Sequence, residues 1–78
     1  MRYGIIDMGS NSFRLSVYEE KGGKPRQIMR QKIMAGLAGY VKDGCLTKAG
    51  MERACAALAE LLELLYSFRP EKTGVFAT

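Results

Sequence analysis

Tyr3-Gly4-Ile5-Ile6-Asp7-Met8-Gly9-Ser10-Asn11-Ser12-Phe13-Arg14-Leu15-Ser16-Val17-Tyr18 is the stretch that decides the fold. Tyr3 to Met8 is nearly continuous in apolar character, as expected of a central strand covered on both faces. From Ser12 to Glu19 the pattern changes. Phe13, Leu15 and Val17 alternate with Ser12, Arg14, Ser16 and Tyr18, the two-residue period of a strand with one buried face. Between them, Asp7 closes the first strand and Gly9-Ser10-Asn11-Ser12 forms a tight turn. Such a turn offers several backbone N–H groups to an anion, with the Ser10 and Ser12 hydroxyls as further donors. Asp and Ser after a strand also serve, more plainly, to satisfy turn N–H groups with their own side chains.

Downstream, Glu20-Lys21-Gly22-Gly23-Lys24 is a turn, because Gly-Gly supplies the positive φ of a tight hairpin. A third strand runs from about Arg26 to Met34, completing an antiparallel meander. Met34 to Leu46 holds Gly36, Gly39 and Gly44 and shows no clean period. It reads as a loop pinned by Leu37, Tyr40 and Val41, and it is no P-loop, since no Gly-Lys-Ser/Thr follows. Thr47 is the expected N-cap of a long helix. Met51, Cys55, Leu58, Leu62 and Leu65 recur at spacings of four and three, with Ala54 and Leu61 widening the stripe. Glu52, Arg53, Glu60 and Glu63 fall on the solvated side, and Pro70 ends the helix. Thr73 to Thr78 reads as a fourth strand, brought back parallel to the first by the helical crossover.

Composition narrows the chemistry. With 47% apolar and 26% charged residues the chain is an ordinary globular sequence rather than a disordered one. At 78 residues it buries only about 60% of its unfolded surface, so its core is small. There is no histidine, which removes Ser-His-Asp and Cys-His catalysis and every His-containing metal site. Cys45 is expected in a loop and Cys55 as a buried thiol on the helix stripe, both reduced. No leader-like segment opens the sequence and no apolar run approaches the ~20 residues that span a bilayer, so a cytoplasmic location without membrane contact is expected. The net charge is +4, and Lys21, Lys24, Arg26, Arg30 and Lys32 crowd one hairpin. That cluster either attracts a polyanion or is simply solvated. No aromatic residue interleaves with it, so no specific nucleic-acid partner is expected.

Gly4-Ile5-Ile6-Asp7-Met8-Gly9-Ser10-Asn11-Ser12-Phe13-Arg14-Leu15 resembles the N-terminus of the exopolyphosphatase/guanosine pentaphosphate phosphatase (Ppx/GppA) family. That family lies within the actin-like ATPase superfamily of sugar kinases, acetate kinases and chaperone ATPases. The Asp-x-Gly-Ser turn is shared across the superfamily. The longer Asp-x-Gly-Ser-Asn-Ser form is characteristic of the phosphatases. The order of elements extends the resemblance over the whole chain. It implies an α/β fold: part of a ribonuclease H-like (actin-like ATPase) domain, with a three-stranded antiparallel meander, one helix and a fourth strand parallel to the first. Residues 1–78 would be an incomplete, N-terminal portion of that domain, which is expected to self-associate or form a homodimer when isolated.

For function, the resemblance implies Mg²⁺-dependent hydrolysis of the terminal phosphoanhydride of polyphosphate or guanosine pentaphosphate. The backbone at Gly9, Ser10, Asn11 and Ser12 would hold phosphate oxygens, with Gly9 permitting close approach. Arg14 would reach a phosphate or remain solvated, and Asp7 would hold Mg²⁺. The family's water-orienting Glu would lie past Thr78, so no catalytic residue is expected within the chain. One departure stands out: where members carry Arg-Leu-Gly after the third strand, this sequence has Met34-Ala35-Gly36-Leu37-Ala38-Gly39. A sugar- or acetate-kinase-like ATP phosphotransferase and a non-catalytic domain piece are the alternatives.

Overall fold

A computed structural model of the protein describes residues 1–77. β1 (Arg2–Met8), β2 (Ser12–Lys21) and β3 (Lys24–Met34) form the antiparallel meander. A 3₁₀ turn (Leu37–Tyr40) and a small hairpin of β4 (Val41–Lys42) and β5 (Cys45–Leu46) follow. Helix α1 (Lys48–Ser67) then leads to β6 (Lys72–Ala77), which pairs parallel to β1. The main sheet has the order β3-β2-β1-β6, as the sequence implied. Thr78, the last residue assigned to the fourth strand from sequence, lies outside the described residues.

The meander is longer than its sequence reading. The β2–β3 ladder runs on to Lys21↔Lys24, leaving only Gly22-Gly23 as the turn, both at positive φ. Pro25 sits in this ladder because β3 is an edge strand, where a missing N–H costs no interior bond. A register shift between Val17 and Tyr18 marks a bulge in the long hairpin.

The core lies between the sheet and α1. Ile6, Phe13, Leu15 and Val17 point from β1 and β2 onto Ala57, Leu61 and Leu65 of the helix, all buried. The alternation along β2 is therefore what attaches the helix. Thr47 caps α1 as expected, its Oγ1 accepting from Gly50 N–H at 3.1 Å. The helix ends at Ser67, where the N–H groups of Phe68 and Arg69 turn back to Leu65 and Tyr66 carbonyls and Arg69 adopts positive φ.

The helix is rotated from the stripe read in sequence. Its inner line is Gly50, Ala54, Ala57, Leu61 and Leu65, while Met51 is 54% exposed and Cys55 is exposed rather than buried. Small residues at the contact let the helix come close, and larger Met51 is left outside. Cys45 lies on β5, and both thiols are free. Residues 41–46, read as loop, form the β4–β5 hairpin. Asp43 and Gly44, at φ 53° and 77°, make its tight turn. Leu37 packs on the core as expected, but Val41 is exposed. Among the described residues, no helix is long and apolar enough to cross a membrane.

Candidate functional site

The β1–β2 hairpin gathers the predicted site at one end of the sheet. Met8 pairs with Phe13, so Gly9 to Ser12 must turn within four residues. Gly9 N–H donates to Ser12 carbonyl at 2.9 Å and closes the turn. That amide is therefore engaged within the turn rather than held out for a ligand. Ser10 and Asn11 form the exposed tip, with Gly9 and Ser12 half-buried beneath it. Among the described residues, no backbone acceptor takes the Ser10 or Asn11 N–H. Asp7 is half-buried on β1, in register with Arg14 on β2 and with Phe76 on β6. Arg14 is exposed on the face of the sheet away from α1. Asp7, the turn and Arg14 thus form one cluster.

The turn is braced from behind by residues outside the sequence motif. Gly36 N–H donates to Asn11 carbonyl at 2.9 Å, tying the segment after β3 directly to the turn tip. Arg53, expected to be solvated, is half-buried and donates from Nη2 to Met34 carbonyl at 3.2 Å. Met34 is in turn the ladder partner of Ser12. Helix α1, the end of β3 and the turn are thereby linked in sequence. The segment that departs from the Arg-Leu-Gly pattern still supports the turn, because it does so through a backbone N–H and a backbone carbonyl.

Among the described residues, no three His, Cys, Asp or Glu side chains gather into a metal cage. Mg²⁺ seldom uses one. It is commonly held by one or two carboxylates, with substrate phosphates and water supplying the other ligands. The Asp7 carboxylate, beside a turn whose Ser10 and Asn11 amides have no backbone acceptor among the described residues, is compatible with that donor set.

A mixed sheet of this order, with an Asp-x-Gly-Ser turn between its first two strands and a helix returning the chain parallel to the first, defines the N-terminal part of an actin-like ATPase domain. The Ppx/GppA protein of Aquifex aeolicus superimposes with a TM-score of 0.90 at 31% identity over 99% of this chain. Over nearly its whole length the chain is thus similar to Ppx/GppA proteins, as expected of an N-terminal portion of that fold. An exopolyphosphatase from Cytophaga hutchinsonii matches with a TM-score of 0.90 at 27% identity, over 99% of this chain and 25% of its own. An exopolyphosphatase-like protein at 22% identity shares the fold, with a TM-score of 0.83 over 97% of this chain and 24% of its own. The chain spans about a quarter of the length of these structures, 26% in the Aquifex case. No protein-family model matches it.

Proposed function

We propose that this chain supplies half of the phosphate clamp in a Mg²⁺-dependent hydrolase of terminal phosphoanhydride bonds, with polyphosphate or guanosine pentaphosphate as substrate. The observation that carries the reading is the braced turn from Asp7 to Ser12, with the exposed residues Ser10 and Asn11 at its tip and no backbone acceptor for their N–H groups among the described residues. Likeness to exopolyphosphatases at 27–31% identity supports the same reading.

A phosphoanhydride resists water because its own charges repel a nucleophile. Catalysis must neutralise those charges, fix the terminal phosphoryl group and leave an in-line path for water. The Ser10 and Asn11 amides and the Ser10 and Ser12 hydroxyls would take phosphate oxygens. Arg14, two residues along β2 from Ser12, would offset charge on the next phosphoryl group. Asp7 would hold Mg²⁺, which when bound neutralises charge shared between adjacent phosphates. Gly9 would close the turn rather than donate to the ligand. Bracing by Gly36 and Arg53 would hold the donors in place before substrate arrives, so that little is lost to reorganisation.

The test is orthophosphate release from polyphosphate and from guanosine pentaphosphate by the complete gene product, with and without Mg²⁺. Asp7→Ala is expected to lower turnover by at least about a hundredfold, the usual scale for losing one electrostatic element of a site, and Gly9→Val to lower it by setting a branched side chain where phosphate would approach the turn. Turnover unchanged in both variants would take the turn out of the mechanism. ATP-dependent phosphorylation of an acceptor, without hydrolysis, would replace the hydrolase reading with a phosphotransferase.

A further inference from the structure

Residues 34–36, directly behind the turn, are each held in a different way. Met34 stands opposite Ser12 in the β2–β3 ladder, and its carbonyl accepts from Arg53 Nη2 at 3.2 Å. The Met34 side chain is 63% exposed and takes no part. Ala35 is buried and belongs to the core. Gly36 donates its N–H to the Asn11 carbonyl at 2.9 Å and holds φ 61°. A Cβ at Gly36 would meet nothing within 4 Å, so glycine is favoured there by backbone conformation alone. Ala35 and the ladder also build the fold, whereas Arg53 reaches in from α1. It is half-buried, three residues after Gly50 and four before Ala57, at the margin of the helix face that meets the sheet. Among the described residues no acid pairs with it, and its hydrogen bonding ends on the Met34 carbonyl. An arginine so placed adds little net stability, because water would serve its donors nearly as well. What the bond does fix is the position of the Met34 carbonyl, and with it the Gly36 N–H two residues on.

From this placement we infer that Arg53 is a positioning residue for the turn: it fixes residues 34–36, and they fix Asn11 through the Gly36 amide. The consequence for catalysis rests on the hydrolase reading above. It goes beyond that reading by naming a helix residue that touches no phosphate and yet governs turnover. The Asn11 carbonyl and the Ser12 N–H belong to one planar peptide unit, so a bond to that carbonyl orients the unit. The Asn11 N–H is attached to the same Cα and moves with it. A small displacement carries these donors off the phosphoryl oxygens as charge develops on them, which lowers the rate more than it lowers ground-state affinity.

The test combines hydrogen exchange, resolved to single amides, with polyphosphate hydrolysis, both on the complete gene product. Arg53→Met keeps an aliphatic arm and removes the donor, and Arg53→Lys restores a donor and a charge. Lys48→Met removes the same charge from an exposed position nearer the start of α1. In Arg53→Met the Gly36 N–H is expected to exchange at least about fivefold faster, the scale of one lost hydrogen bond, with the Leu61 and Leu65 amides within about twofold of wild type. Arg53→Lys is expected to recover most of the protection, and Lys48→Met to leave it unchanged. In hydrolysis, Arg53→Met is expected to lower kcat at least about tenfold with KM within about twofold, and Arg53→Lys to recover part of the loss. Gly36→Ala strains the other end of the same segment. Its effect combined with Arg53→Met should therefore fall short of the product of the two single losses. Exchange that quickens equally at Gly36, Leu61 and Leu65 would reduce Arg53 to general stability, and equal effects of Arg53→Met and Lys48→Met would reduce it to charge. Either result, or unchanged exchange at Gly36, overturns the inference. A gene product that hydrolyses polyphosphate at a rate indifferent to Arg53→Met leaves the hydrolase standing and removes the positioning role. A selective response at Gly36 without any hydrolysis does the reverse.

Discussion

On β2, Leu15 and Val17 are fully buried beneath α1, while Arg14 and Ser16, one residue away on the same strand, face the open side of the sheet. The two faces differ in more than polarity. On the covered face, van der Waals contact fixes every position, and neighbours have little freedom to adjust. On the open face, side chains are constrained mainly by the ladder that spaces them. One strand thereby anchors the domain with its odd-numbered residues and presents its chemistry with the even-numbered ones. Stability and function are expected to separate by residue parity along β2.

The strongest test of that separation compares neighbours. Leu15→Ala removes a side chain with 0% exposure from the centre of the core and is expected to cost about 2–5 kcal/mol. That is a large share of the ~4–12 kcal/mol ordinary for a domain of this size. Ser16→Ala should fall within about 0.5 kcal/mol of wild type, as for most surface substitutions. Urea midpoints at unchanged slope measure both. Similar losses at the two positions would mean that the open face is packed in solution and would break the comparison.

A smaller effect tests how the brace behind the turn is assembled. A Cβ at Gly50 would lie 2.6 Å from Tyr40 Cβ and 2.7 Å from Leu46 Cδ1. Leu46 can rotate its methyl group away, but Tyr40 Cβ is fixed to the backbone of the 3₁₀ turn and must carry that turn with it. Gly50→Ala gains up to ~1 kcal/mol of helix propensity and loses about 1–3 kcal/mol by overpacking. A net destabilisation of about 1 kcal/mol is expected in the same unfolding measurement. A stabilised variant would show that the 3₁₀ turn yields freely, and that the start of α1 does not set the position of the segment supporting Asn11.

What the sequence made legible follows from range. The β2 alternation, the Thr47 cap and the Asp7–Ser12 turn are local, each written in residues a few positions apart. The rotation of α1 was misread because Leu58, Leu61, Leu62, Leu64 and Leu65 encircle much of the helix. In such a helix, side-chain size at the contact (Gly50, Ala54, Ala57) decides which side goes in, and hydropathy alone does not report size. The β4–β5 hairpin was missed because two-residue strands are too short to show a period, although Asp43-Gly44 is itself a strong turn signal. The bonds from Gly36 to Asn11 and from Arg53 to Met34 end on backbone carbonyls, which carry no residue signature. Asp7 and the turn were therefore readable, and the apparatus holding the turn was not.

Charge pairing sharpens the contrast between the faces once more, at the smallest scale. On the covered side, at the margin of the core, Arg2 has an acid opposite it. Its Nε donates to Glu19 Oε2 at 3.0 Å, and Nη1 donates to Phe68 carbonyl at 3.1 Å, tying the C-terminal end of α1 to the sheet. On the open side Arg14 lies between Asp7 on β1 and Lys32 on β3, so the acid there faces two cations. The hydrogen bond from Arg2 holds the Glu19 carboxyl below its ordinary value; burial opposes it, and the charges of Arg2, Lys21 and Arg26 reinforce it. A carboxyl whose pKa is lower folded than unfolded stabilises the fold above its unfolded value, and loses that contribution as pH falls through the folded value. Glu19→Gln is therefore expected to lower the urea midpoint slightly at pH 7, with the difference from wild type closing once the pH drops well below ~4. The pair is partly exposed, so the difference should also shrink in high salt. A difference that persists unchanged in acid would assign the Arg2–Glu19 contact to packing instead of charge. Pairing would then no longer set the margin of the covered face apart from the open one, where Arg14 is shared between Asp7 and Lys32 as ladder neighbours.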